Sequence, residues 1–247
     1  MRHAAEGSIA KGCDAYPDFR DLIARKDIDA VLIGIPDHWH CATAVAAVKS
    51  GKDVYCEKPL TLTTAEAKVI IDAVRRHKRV LQTGSQQRSD KEFRVACEAV
   101  RNGGIGKVQQ VFVSVGGPSR PCDPPEESGP IEIIPPEDPK TGIGLRYIYA
   151  NGVEMIHGGH KDPDCMDRGG VHFVGENGIV YVDRGQLKSW PENIVTEPLG
   201  ATETPLYKSP GHHQDWLNCI RNRKRPICDV ETGARSVTVC HLGNLAY

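Results

Sequence analysis

A parallel α/β sheet followed by a mainly antiparallel sheet is the fold class this sequence predicts, and two patterns carry the prediction. Between Pro17 and Val115, helical and strand periodicities alternate at intervals of roughly 20 to 25 residues, the rhythm of βαβ units. After Gly142 the apolar segments are short and turn-bounded, as in antiparallel hairpins. A chain of 247 residues with 39% hydrophobic content can build one large core or two modest ones.

The elements follow in order. Asp18 to Ala24 reads as a short helix after Pro17, and Ala30 to Ile35 is a nearly continuous apolar run, as in a strand buried on both faces. His40 to Ser50 has alanines and valines at helical spacing, and Gly51 supplies the stop. Asp53 to Cys56 is the next strand. Thr63 and Glu66 form a capping box ahead of Ala67 to Arg76, after which Arg79 to Gln82 resumes a strand. A helix from Asp90 to Arg101 ends at Asn102-Gly103-Gly104, and Val108 to Val115 alternates like a half-exposed strand of a different sheet. The predicted domains are therefore 1–105 and 106–247.

Gly116 to Gly142 holds eight prolines and reads as loop. Compact domains rarely carry a loop of this length, which predicts an internal loss near 122–128. Leu145 to Tyr149, Val153 to Ile156, Gly170 to Gly175 and Ile179 to Val182 are predicted strands, with Glu176-Asn177-Gly178 as a hairpin turn. His213 to Arg221 and Ala234 to Tyr247 are predicted helices; the second stops inside its apolar pattern, as a truncated C-terminus would.

Composition narrows the function. A formal charge of -1 with dispersed basic residues predicts no nucleic-acid surface. No apolar run reaches the roughly 18 to 20 residues that span a bilayer, and Met1 to Gly12 has no signal-peptide core, so a cytoplasmic protein is expected as written. Nine cysteines without a C-x-x-C pair fit reduced thiols. An export segment missing from the start would instead allow a periplasmic location.

In an open parallel sheet, ligands bind outside the carboxyl ends of the strands, where loops converge. Three such ends are polar here: Pro36-Asp37-His38-Trp39-His40, Glu57-Lys58-Pro59, and Thr83-Gly84-Ser85-Gln86-Gln87-Arg88. Together they predict a site on one sheet edge. The PDHWH, EKPLTLT and QTGSQQR segments resemble the glucose-fructose oxidoreductase, inositol dehydrogenase and MocA family, and Gly106-Lys107-Val108 matches its entry to a second sheet. That resemblance implies a Rossmann-like domain for NAD or NADP, here lacking its first βαβ unit, followed by an antiparallel sheet domain that holds a sugar or polyol and supports homo-oligomers.

The resemblance also implies residue roles. Lys58 would bond the substrate hydroxyl beside the nicotinamide, where a cation favours developing negative charge on oxygen. Glu57 would hold the nicotinamide ribose, and Pro59 would aim Lys58 through a bond that is commonly cis in the family. Pro36, Asp37 and His40 match the loop that passes the cofactor's ribose and pyrophosphate; Asp37 is equally readable as a helix cap and His40 as a residue packed on Trp39. Gln87 and Arg88 match a loop near cofactor or substrate, or a solvated loop. Trp39 reads as packing.

No metal site is predicted. His157, His160, Asp162, Asp164, Cys165 and Asp167 lack a defensible ligand spacing and read as solvated loop, while Cys41 and Cys56 read as small core residues. Two expected elements are absent from the sequence. No G-x-G-x-x-G turn follows a strand, since Gly103-Gly104-Ile105-Gly106 follows a helix and precedes a strand. The family's H-x-x-D base motif is also missing, as Gly117 runs through prolines to Ser128-Gly129-Pro130-Ile131. Three readings stay open: an oxidoreductase present as an incomplete chain, a non-catalytic binding or assembly subunit of the same fold, and a metal-dependent isomerase or hydrolase.

Overall fold

The computed structural model describes residues 13–114, 145–157 and 169–246. Contacts divide the chain into two compact units, Met1–Ser85 with His213–Leu242 and Gln86–His212 with Gly243–Tyr247. The predicted boundary near Ile105 divides it differently: every strand of the parallel sheet precedes Ile105, while the helix ending at Arg101 groups with the second sheet.

In the first unit α1 (Phe19–Ala24) starts where the Asp18 carboxylate accepts from the Arg20 backbone N–H. Strands β1 (Ala30–Ile33), β2 (Asp53–Cys56) and β3 (Leu81–Thr83) form a parallel sheet in that order, connected by α2 (His40–Lys49) and α3 (Thr64–His77). The Thr63–Glu66 capping box is present at the start of α3. Val48, Val54, Cys56, Ile70, Val74 and Leu81 make the core against which α2 and α3 bury their apolar faces.

Strand β1 corrects one expectation. It was predicted to be buried on both faces, yet Leu32 is 61% exposed, because β1 is an outer strand of the three and one of its faces is uncovered among the described residues. The apolar run records strand propensity without specifying what covers it.

The other side of the sheet is closed by distant sequence. Thr83 N–H donates to the Cys228 carbonyl at 2.9 Å, and Gln82 pairs antiparallel with Asp229. Asp229 then accepts from the Glu231 N–H with its side chain, opening α7 (Val230–Ala246), whose Val230 and Ala234 join the core of the parallel sheet.

The second unit contains α4 (Lys91–Arg101), capped by Asp90, and a six-stranded sheet. Its strands are β4 (Val108–Ser114), β5 (Arg146–Ile148), β6 (Glu154–His157), β7 (Gly170–Gly175), β8 (Ile179–Asp183) and β9 (Gln186–Trp190), in spatial order β5-β6-β4-β7-β8-β9. Only β4 and β6 run parallel within it. Ala96 of α4 packs with Ile105, Val180 and Val182. The hairpin turn at 176–178 lies where predicted, whereas β9 and the single turn α5 (Asn193–Thr196) carry weak local signals and were not anticipated. Helix α6 (His212–Asn222) belongs, from His213 onward, to the first unit. The proline-rich segment and the histidine-aspartate run from Gly158 to Arg168 lie outside the described residues.

Candidate active site

Register brings the strand tips level. Ile33 pairs with Cys56 and Cys56 with Thr83, so Gly34, Glu57 and Gly84 follow side by side at the carboxyl edge of β1, β2 and β3. Backbone bonds carry the alignment one residue further, from Glu57 N to Ile33 O at 2.9 Å and from Gly84 N to Cys56 O at 2.7 Å. Glu57 and Lys58 therefore leave the central strand, the position with a neighbour on each side.

The Glu57 side chain lies against both neighbours. A Cβ on Gly84 would sit 2.8 Å from the Glu57 carboxyl carbon and 3.1 Å from its Cα, and one on Gly34 would sit 4.0 Å from its Cγ. Gly84 is thus glycine because the carboxyl occupies the space a side chain needs. The sequence contained this signal, a glycine directly after a strand, but without the register nothing linked it to Glu57.

Lys58 is exposed, and its ammonium has no hydrogen bond or ion pair among the described residues. The Lys58–Pro59 bond is cis, as the resemblance implied. Beneath it His40, 1% exposed, bonds the Pro59 carbonyl through Nδ1 at 2.6 Å, and its Nε2 has no partner among the described residues. The ring is buried and bonded to the loop that carries Lys58. Leu60 is buried, and Thr61 Oγ1 lies 3.4 Å from His241 Nε2 of α7. Gly233 lets α7 approach, since a Cβ there would stand 2.9 Å from Thr83 Cβ.

Pro36 and Asp37 lie exposed at the start of a 3-10 turn, Asp37–Trp39. The capping alternative for Asp37 is not realised, because neither this turn nor α2 has a side-chain cap bond; the Asp37 carbonyl, not its carboxylate, receives the His40 N–H. Trp39 is half exposed and meets Phe19 edge-on at 6.5 Å. Gln87 and Arg88 belong to the other compact unit, in the turn Gln86–Ser89. With its amide oxygen facing Arg184, Gln87 accepts bonds of 2.6 and 2.8 Å from that guanidinium.

The thiols near the strand tips are core residues. Burial, with the Glu57 carboxylate adding to it, pushes the Cys56 thiol up to about 12, and burial pushes Cys41 up to about 11. Neither supplies a thiolate near neutral pH. No disulfide joins the seven described cysteines to one another, and no group of three or more metal-ligating side chains occurs among the described residues.

A parallel sheet with polar loops at its carboxyl edge defines the class of open α/β proteins that bind ligands outside their strand ends. Residues 2–85 match the model described as "Oxidoreductase family, NAD-binding Rossmann fold". Over these residues, about a third of the chain, the sequence is similar to the family of glucose-fructose oxidoreductase, inositol dehydrogenase and MocA. It is 36% identical to myo-inositol 2-dehydrogenase of Thermotoga maritima over 107 residues, 43% of this chain and 32% of that protein. It is 28% identical to the uncharacterized oxidoreductase YrbE of Bacillus subtilis over 172 residues, 67% of this chain and 50% of that one. The matched stretches therefore span half or less of these curated relatives.

Solved structures share the fold. An NAD-binding protein from Listeria innocua superimposes with a TM-score of 0.65 at 17% identity, covering 96% of this chain and 84% of that one. Myo-inositol 2-dehydrogenase from Lactobacillus plantarum gives 0.60 at 17% identity, covering 93% and 81%.

Proposed function

We propose that this chain forms the reacting edge of an oxidoreductase that moves hydride between NAD or NADP and a hydroxyl-bearing carbon of a sugar or cyclitol. The carrying observation is Lys58: an exposed ammonium at the tip of the central strand, without a partner among the described residues, beside a carboxylate set between two glycines. Relatives named as inositol dehydrogenases support the substrate class.

The residues fit one end of a nicotinamide dinucleotide. Glu57 offers an acceptor for a ribose hydroxyl, and Gly34 and Gly84 leave that stretch of edge without side chains. Pro36 and Asp37 lie on the adjoining strand end, available to the rest of the cofactor. No glycine turn for the pyrophosphate occurs in the sequence, so the fit covers the nicotinamide ribose only. The cofactor supplies the carbon that exchanges hydride when it is bound.

Lys58 donates to the substrate oxygen and stabilises the negative charge that develops there as the hydroxyl proton passes to solvent water. His40 acts through Pro59, holding the loop rather than touching a ligand. Gln87 and Arg88 are assigned to the cofactor or substrate from the family resemblance, and homo-oligomers to the six-stranded sheet.

Calorimetry with NAD and NADP, followed by turnover on a panel of sugars and cyclitols, tests the reading. Lys58→Ala is expected to lower turnover on the order of 100-fold or more while leaving cofactor affinity within a few-fold, because the donor acts chiefly on the developing charge. Equal loss of affinity and turnover would assign Lys58 to cofactor binding. A second reading, a non-catalytic assembly subunit, is favoured by the uncovered Leu32 on outer strand β1. Co-purification at a defined size with a complete homologue, without cofactor binding, would favour it.

A further inference from the structure

A concave site lies in the first unit, at the amino-terminal end of the parallel sheet, opposite the edge that carries Lys58. It is a groove of about 490 Å³ between the end of α3, the start of β3 and the segment after α6. Six cations line it: Arg75, Lys78, Arg79, Arg223, Lys224 and Arg225, with Asp229 as the lining carboxylate.

Some of these charges are already matched. Arg75 is held bidentate by Asp229 and also bonds Glu231, and Arg223 grips buried Asp53 at 2.7 and 3.0 Å. Arginines also satisfy the carbonyls where the helices end. Arg79 donates to His77 O at 3.0 Å and to Gly51 O at 3.0 Å, while Arg223 donates to Lys78 O at 3.1 Å and Ile220 O at 3.2 Å. Ion pairing and compensation of the α2, α3 and α6 C-termini therefore explain Arg75, Arg79 and Arg223.

They do not explain the lysines. The Lys78 and Lys224 ammonium groups have no hydrogen bond or ion pair among the described residues, and Arg225 has only Glu231 at 3.9 Å. A left-handed residue at each turn, Lys78 with φ 53° and Arg223 with φ 56°, reverses the chain so that both lysines border one groove. Surplus positive charge lining a concavity the size of a small-molecule site attracts a compact anion, and adjacent lysines suit phosphate oxygens.

We propose that this groove binds a small anion carrying two or more phosphate groups, free or attached to a nucleoside. Lys78, Lys224 and Arg225 would contact the phosphates, with Arg79 adding charge from the wall. The site is separate from the strand tips and does not depend on the oxidoreductase reading.

The test is titration of the full chain with inorganic pyrophosphate, ADP and adenosine, using calorimetry at about 0.1 M salt, where screening leaves only close contacts effective. Saturable one-to-one binding of pyrophosphate is expected, weakened about tenfold or more in Lys78→Gln/Lys224→Gln, as loss of charged hydrogen bonds predicts. Lys58→Ala should leave it unchanged. Tighter binding of ADP than pyrophosphate, with none of adenosine, would identify a nucleotide; equal binding would identify the free phosphate. No saturable binding by either phosphate compound overturns the proposal. So does undiminished binding in the double lysine variant with an unchanged melting temperature, and so does loss of binding in Lys58→Ala.

Discussion

Two residues at the strand tips show how much of a site resides in single atoms. Gly84 leaves room for the Glu57 carboxyl, and any side chain there must displace it or shift the strand end. Gly84→Ala is expected to cost about 1–3 kcal/mol, the usual penalty for forcing a methyl into filled space. The urea midpoint of the variant measures it, and an unchanged midpoint together with unchanged cofactor binding would show that Glu57 moves freely. Cys56 gives a pH prediction. Its folded thiol titrates near 12 against about 9 in a free chain, so both states keep the proton below pH 9. As pH rises from 9 towards 12 the unfolded thiol ionises first, and the folded state loses stability over that window. Stability curves of the chain and of Cys56→Ala should converge there. A constant difference between them would place the thiol in contact with solvent.

At the scale of elements, local chemistry decides where helices begin and tertiary contact decides what strands pair with. The Thr63–Glu66 box satisfies backbone donors on both sides of the α3 start: Thr63 Oγ1 accepts from Glu66 N at 3.2 Å, and the Glu66 carboxylate accepts from Leu62 N at 2.8 Å. Thr63→Ala removes the cap and should lower stability by about 1 kcal/mol, visible in thermal melts, with Thr63→Ser restoring most of it. This box was legible in the sequence because it acts within four residues. The helices at 19–24, 40–49 and 91–101 and the strand at 53–56 were legible for the same reason. Strand β9 was not, because its residues Gln186 to Trp190 alternate weakly and gain their place by pairing with β8 across the Arg184-Gly185 turn.

At the scale of the molecule, the segment from Cys228 to Leu242 closes the parallel sheet formed more than 140 residues earlier in the chain. Asp229 is the joint. It is buried, holds the Arg75 guanidinium through both oxygens, and caps α7. Asp229→Ala removes both side-chain functions and leaves Arg75 with Glu231 alone, so a loss of about 2–4 kcal/mol is expected. Hydrogen exchange should show α3, β3 and α7 losing protection together; loss confined to α7 would mean that its docking is independent of the sheet. No helix among the described residues is long and apolar enough to cross a membrane.

The sequence by itself determined the alternation of helices and strands, the Thr63–Glu66 capping box, and the identity of the tripeptide Glu57-Lys58-Pro59, because periodicity, capping and motif are properties of neighbouring residues. It also carried the resemblance that the family model bears out over residues 2–85. Only the tertiary structure decided that Glu57 lies between Gly34 and Gly84, that His40 is buried beneath Pro59, and that Leu32 is uncovered. It alone gathered Lys78 and Lys224, 146 positions apart in the sequence, around one groove. The physical reason is the same in each case: burial and charge are set by what the folded chain brings alongside a residue, and no local pattern encodes a neighbour that arrives from elsewhere in the chain.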